Sequence, residues 1–383
     1  LCNFLRARFS PVPAWSRLVR SLIGWLCGAP VLEEVEFPPQ YQTFFARSAA
    51  DCAASGIDWF SRSGILVDEG KRGVLEGLGT EIYPDGHQKT ASSIRTDCCG
   101  EAALAYLMHF LAFGDARSLE RAQNLEAFVY DKMQIRSGRF QGMLRWTDIA
   151  WEECRMALEF LMNTTGPDGL RPARTDNLNM SEKDFAALSR QNGAFPCAHY
   201  NAFYLACLLL YGKLEKDARC LAVGETGMQA LLQAYPKTIR EQSQTEELCR
   251  LLLPFAWLYY ATGKQEYRQM LYTVTRDLEK MRHPSGAYLE WDDDYSAACS
   301  KQENGECSLL ARNGDPVCDL LYSNNWVPLG LMQAYFVTED AYFYDLFCRH
   351  AAFLSTAQIH SQDPRIDGAW ARGFDAEQME VCG

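Results

Sequence analysis

Carboxylates, arginines, aromatics and amides recur where extended polar links run into apolar, helix-like segments. They are Arg95, Asp97 and Glu101; Trp146, Asp148 and Glu152; His199 and Tyr200; Glu246 and Glu247; Asn324, Asn325 and Trp326; Trp370, Arg372 and Asp375. This mixture suits carbohydrate chemistry. Hydrolysing a glycosidic bond takes an acid to protonate the leaving oxygen and a second carboxylate to activate water or attack the anomeric carbon. Asp97, Asp148 and Asp315 are the carboxylates put forward for catalysis. Asp97 opens the clearest helical segment and Asp148 precedes another, so each also reads as an N-terminal cap. Asp315 lies in Asn313-Gly314-Asp315-Pro316, a strong turn signal beside a further helix.

The substrate-binding set is Arg95, Trp146, His199, Trp291, Asn324, Trp326, Trp370 and Arg372. A planar guanidinium suits a sugar carboxylate, although a structural salt bridge is its commoner use. His199 reads as a base, a hydroxyl partner or a satisfied interior side chain. The four tryptophans fall at corresponding positions, where a ring face stacks on a sugar or packs beneath the loops. Glu101 and Glu152 lie one turn further along and read as structural.

Positioning these residues requires a regular scaffold, and the chain punctuates one. Asp85-Gly86, Ser137-Gly138, Asp168-Gly169, Ser285-Gly286 and Asp367-Gly368, with Tyr235-Pro236 as a Gly-free relative, each close a helical segment before an extended stretch. Apolar periodicity predicts helices over 38–63, 95–113, 115–135, 147–163, 195–212, 216–234, 243–262, 264–282, 322–337 and 340–358. Tight turns at Gly114 and Gly263 make antiparallel pairs of them. The predicted fold is therefore all-α, an (α/α)6 toroid or barrel of helical hairpins with short β-like links, spanning residues 38–383 behind an amphipathic extension over 1–37. Between Gly138 and Gly169 there is room for one helix instead of two, and the last unit stops after its link. A ring with such gaps predicts partnering by another chain, as in a homo-oligomer, or reduced stability.

Composition narrows the function classes. The chain has 383 residues, 48% hydrophobic and 22% charged, with a net charge of -12. That charge argues against a nucleic-acid partner, and the apolar runs are too short for a membrane span. The basic stretch Pro13–Gly28 reads as an amphipathic helix that packs on the domain, with a membrane-surface role as the alternative. The 15 cysteines are scattered without a metal-ligand or disulfide pattern, which predicts reduced thiols in a cytoplasmic protein. Asp292, Asp293 and Asp294 read as a solvated charge run and not a metal site. No nucleotide, zinc-protease or serine-hydrolase motif occurs, so neither cofactor nor metal is expected.

The strings RTDCCGEAAL (95–104), MLRWTDIAWE (143–152), GLRPARTDNLN (169–179), NGDPVCDLLYSNNW (313–326) and DGAWARGFD (367–375) resemble the six-hairpin glycosidase superfamily. More narrowly they resemble bacterial proteins of glycoside hydrolase family 154. The resemblance covers roughly residues 40–380 and implies an exo-acting β-glucuronidase on an (α/α)6 barrel. The chain departs from that pattern after Trp151-Glu152-Glu153, where it is short, and after the Gly-Ala-Trp-Ala-Arg string, where it stops. A catalytic carboxylate carried by either segment would leave a protein that binds without turnover. The leading expectation is a glycoside hydrolase removing a terminal uronic acid. A non-catalytic carbohydrate-binding relative and a sugar epimerase are the alternatives.

Overall fold

The computed structural model describes residues 12–28, 43, 47–82, 88–91, 93–138, 141–144, 154–171, 181–188, 196–240, 243–291 and 315–381. Its helices are α1 (Val12–Cys27), α2 (Ala49–Arg62), α3 (Thr96–Phe113), α4 (Ala116–Lys132), α5 (Cys154–Asn163), α6 (Glu182–Leu188), α7 (Ala198–Leu214), α8 (Ala218–Ala234), α9 (Gln244–Thr262), α10 (Gln265–Glu279), α11 (Trp326–Thr338) and α12 (Ala341–Ala357). Short strands β1 (Leu78–Ile82) and β2 (Gln88–Thr90) form one antiparallel pair. A second sheet runs β3 (Val317–Asp319), β4 (Gly373–Asp375), β5 (Glu380–Val381). The predicted hairpins α3–α4, α7–α8, α9–α10 and α11–α12 are all present. The short helix α6 and the two small sheets were not anticipated. Phe140–Trp146 and Ala287–Trp291, read as β-like, contribute the isolated bridges Gln134 to Leu144 and Arg282 to Tyr288.

The chain divides into two compact units. The first comprises Leu1–Phe160 and Ser355–Trp370; the second comprises Leu161–Leu354 and Ala371–Gly383. In the first, Ile57, Ile65, Val74, Cys99, Tyr106, Leu125 and Met133 form the core. Its returning segment docks on α2: Gln358 Nε2 donates to the Cys52 carbonyl at 2.9 Å, and Trp59 Nε1 donates to the Arg365 carbonyl at 2.6 Å. On α1, Val19 is buried while Leu18, Leu22, Trp25 and Leu26 are exposed. No described helix is long and apolar enough to cross a membrane.

In the second unit α9 is buried nearly all round, as a helix enclosed by neighbours must be. It packs against α7, α10 and α11. The outer helix α10 instead buries one stripe, Tyr267, Leu271, Val274 and Leu278. Cys220 and Cys249 are buried and Cys207 is half-buried, filling apolar space as small hydrophobes.

Three of the punctuating glycines share a physical reason, whereas Gly138 has the positive φ (83°) but nothing within 4 Å of an added Cβ. Gly169, Gly286 and Gly368 all have positive φ (76°, 100° and 89°). Each also lies against the backbone of a helix. A Cβ at Gly169 would stand 2.3 Å from the Gly227 nitrogen on α8, one at Gly286 2.7 Å from the Arg349 carbonyl on α12, and one at Gly368 2.4 Å from the Ser55 carbonyl on α2. The turn thus serves both chain reversal and close approach. Asp85-Gly86 lies outside the described residues.

Candidate active site

The N-terminal turns of α7, α9 and α11 in the second unit converge with the link before β3 and with Arg372 before β4. Two consecutive glutamates at the start of α9 hold the first turn of α7. Glu246 Oε1 accepts from His199 Nδ1 at 2.6 Å and lies 3.2 Å from Arg250 Nε. Glu247 accepts from the backbone N–H of Ala198 at 2.6 Å and of His199 at 3.2 Å, and from the Cys197 thiol at 3.2 Å. It therefore caps a neighbouring helix, where N–H groups lack intrahelical partners. Burial pushes the Glu247 carboxyl up to about 7, against the pull of those donors.

A second carboxylate pair lies beside the first. Asp319, at the end of β3, accepts from the N–H groups of Leu321 and Tyr322, both at 2.7 Å, and from Arg372 Nε at 3.0 Å. Glu290, in the link, accepts from the Ser323 hydroxyl at 2.6 Å. Burial, first, and the neighbouring charge of Asp319 raise the Glu290 carboxyl well above the carboxylate range, and burial raises Asp319 as well. Among the described residues Arg250 pairs with Glu246 and Arg372 with Asp319, whereas Glu290 pairs with no cation. Burial thus raises both carboxyls, and the Arg372 guanidinium opposes that rise at Asp319.

Beside these carboxylates lie Arg372, His199, Tyr322 and Trp326, each partly exposed, and Arg250, which is buried. The guanidinium of Arg372 lies 4.5 Å from the centroid of Tyr322, and that of Arg250 lies 5.9 Å from it and 4.6 Å from Trp326. The His199 ring lies 5.9 Å from Tyr322, with 16% of its side chain exposed. The site therefore presents an imidazole, two guanidinium groups and two aromatic rings, backed by buried carboxylates that fix their orientation.

The structure brings His199, Trp326 and Arg372 together from the predicted set. Asn324 belongs to the same region but is buried, its amide bonded to the backbone of Tyr288 and Asp319, and so ties the link to β3. Trp291 is partly exposed, its N–H donating to Thr245 Oγ1 at 3.1 Å. Asp315 is partly buried just ahead of β3. Arg95, Asp97 and Trp370 belong to the first unit. There Arg95 pairs with Asp97 and lies 2.5 Å from Glu76, while Asp97 also accepts from the Cys98 N–H at 2.9 Å. The Asp97 side chain is 42% exposed. Trp370 lies against Gly56. Trp146 and Asp148 lie outside the described residues.

Sequence reading did not single out Glu290, Asp319, Arg250 or Tyr322. Glu246 and Glu247 were noted only as junction residues. Their pairing signal is two adjacent glutamates opening an apolar helix, and a solvated first turn gives the same pattern.

The raised carboxyls give a stability prediction. A carboxyl whose folded pKa exceeds its unfolded value binds its proton more firmly when folded. Its stabilising contribution is complete below the unfolded value and is lost as pH rises through the folded one. The contribution of Glu247 and Glu290 to thermal stability should accordingly fall as pH rises from about 5 to about 8, while the lowered His350 and His360 act in the opposite sense below 6.5. Glu290→Gln keeps an acceptor for Ser323 and cannot ionise, so it should flatten that slope. An unchanged slope in the variant would show that Glu290 does not hold the proton.

No protein-family model and no curated protein matches the chain. Among solved structures, D-mannose isomerase aligns over 87% of this chain and 93% of its own, with a TM-score of 0.51 and 10% identity. An unsaturated glucuronyl hydrolase specific for heparin aligns over 80% of this chain and 83% of its own, at TM-score 0.44 and 11% identity. Cellobiose 2-epimerase from Spirochaeta thermophila DSM 6192 aligns over 88% and 90%, at TM-score 0.36 and 11% identity. At such identities the likeness to the isomerase speaks to fold alone. The fold class is all-α, of the (α/α)6 type that the helix pairs and glycine turns predict.

Proposed function

We propose that the chain is a carbohydrate-active enzyme that removes a terminal uronic acid from a β-glucuronide, as the resemblance to family 154 implies. The observation carrying this reading is the convergence of Arg250 and Arg372 on Tyr322, beside an imidazole held by Glu246. Paired guanidinium groups suit the carboxylate of a uronic acid, and Trp326 and Tyr322 offer faces to a sugar ring. A carboxylate on Nδ1 selects the tautomer in which Nε2 carries the lone pair. In that tautomer His199 Nε2 takes a proton from the water that attacks the anomeric carbon. As the glycosidic C–O bond breaks, a carboxyl proton passes to the departing oxygen. Asp97, Asp148 and Asp315 stand as proposals for that carboxyl, and Glu290, whose carboxyl is raised by burial, joins them.

One observation favours a second reading. A tautomer-locked imidazole also suits abstraction of a proton next to a sugar carbonyl, and the structural neighbour D-mannose isomerase is named for an aldose–ketose conversion. Product analysis separates the two. Incubation with p-nitrophenyl β-glucuronide should release free glucuronic acid, while D-mannose should be returned unchanged. Appearance of D-fructose without any glycoside cleavage would replace the hydrolase reading by the isomerase one.

A further inference from the structure

We propose that Phe203 and Trp326 form a subsite for an aromatic aglycone, next to His199; this rests on the glucuronide reading of the site. Phe203 follows His199 by one helical turn, so the two side chains neighbour each other on the same face of α7. Along this stretch Ala202, Tyr204, Leu205, Ala206, Leu208 and Leu209 are buried, yet Phe203 is 51% exposed. A large ring left half open within this buried stretch forgoes the stabilisation its neighbours gain. Its one described ring partner is Trp326, edge to face at 5.7 Å and 77°. Trp326 in turn carries the guanidinium of Arg250 at 4.6 Å.

The cluster therefore has a charged end, His199 and Arg250, and an apolar end, where Phe203 meets Trp326. The charged end suits the sugar acid. The apolar end has a half-open phenyl ring and no described hydrogen-bond donor or acceptor on its side chain, so it suits a flat ring without hydroxyls. Offset or edge-to-face contact with a phenolic leaving group would bury the ring that folding leaves open. The subsite gives the enzyme a preference for aryl over alkyl glucuronides.

Equilibrium binding of phenyl β-glucuronide and methyl β-glucuronide, measured by calorimetry, tests this without requiring turnover. Wild type should bind the phenyl compound roughly tenfold more tightly than the methyl one. Phe203→Ala should erase that preference and leave methyl glucuronide binding unchanged. Phe203→Leu, which keeps an apolar side chain without the ring, should reduce it. Phe336→Ala, on the exposed part of α11, should leave it intact. A preference that survives Phe203→Ala, or no preference in wild type, would overturn the subsite. So would equal binding, with equal loss in Phe203→Ala, of a glucuronide whose aglycone is another sugar. If neither glucuronide bound wild type, the sugar-acid reading itself would fail and the subsite with it.

Discussion

His199→Ala is expected to lower kcat on β-glucuronides by about 10³-fold, with KM changed little, because general-base catalysis contributes on the order of 10²–10⁴. In the proposed mechanism this side chain takes the proton of the attacking water, and Glu246 holds it at Nδ1. Glu246→Gln should cost less, roughly 10-fold to 100-fold, because an amide oxygen can still accept from Nδ1–H while losing the preference for that tautomer. Steady-state kinetics on both variants check this. A raised KM with kcat unchanged would instead assign His199 to substrate binding. Unaltered kinetics in His199→Ala would remove it from the chemistry altogether.

Gly169→Ala should destabilise the fold by about 4 kcal/mol, combining the cost of a left-handed conformation with that of forcing two backbones apart. At φ 76° an alanine is strained, and its Cβ would stand 2.3 Å from the Gly227 nitrogen and 2.7 Å from the Val223 carbonyl. Neither neighbour is the tip of a flexible side chain, so one of the two elements must shift. Gly263→Ala serves as the internal comparison: its φ is 68°, but nothing lies within 4 Å of the added carbon. It should cost only about 1 kcal/mol. Urea unfolding midpoints for the two variants decide the point. Similar losses would mean that backbone strain alone, and not close helix approach, explains the recurring glycine.

These glycines also show why so much of the fold could be read from sequence. A residue that must reverse the chain and admit a neighbouring backbone leaves a mark that is local and nearly unambiguous. The helix pairs are equally local: Asp115 and Asp217 cap α4 and α8 by accepting from the next N–H groups, and Gly114 and Gly263 close α3 and α9 in the left-handed region. The site is different. His199, Trp326 and Arg372 could be picked out because they stand at junctions. Glu290 and Asp319 could not, since their importance lies in burial beside each other and in Arg372 reaching one of them across many residues. Arg250 sits inside an apolar run, where its charge reads as an interruption and not as a partner for Glu246 and Trp326. Asp97 drew attention by opening the clearest helix, and it meets Arg95 and the Cys98 N–H in the first unit. Whether it also meets substrate is a matter for its own variant.

The central claim is that this arginine-framed site acts on sugar acids. The most direct measurement compares kcat/KM for p-nitrophenyl β-glucuronide and p-nitrophenyl β-glucoside, in wild type and in Arg372→Ala. Loss of a guanidinium partner for a carboxylate costs enough to predict a roughly 100-fold preference for the glucuronide, largely abolished in the variant through KM. Turnover of both glycosides at similar rates, or a preference untouched by Arg372→Ala, would contradict the account.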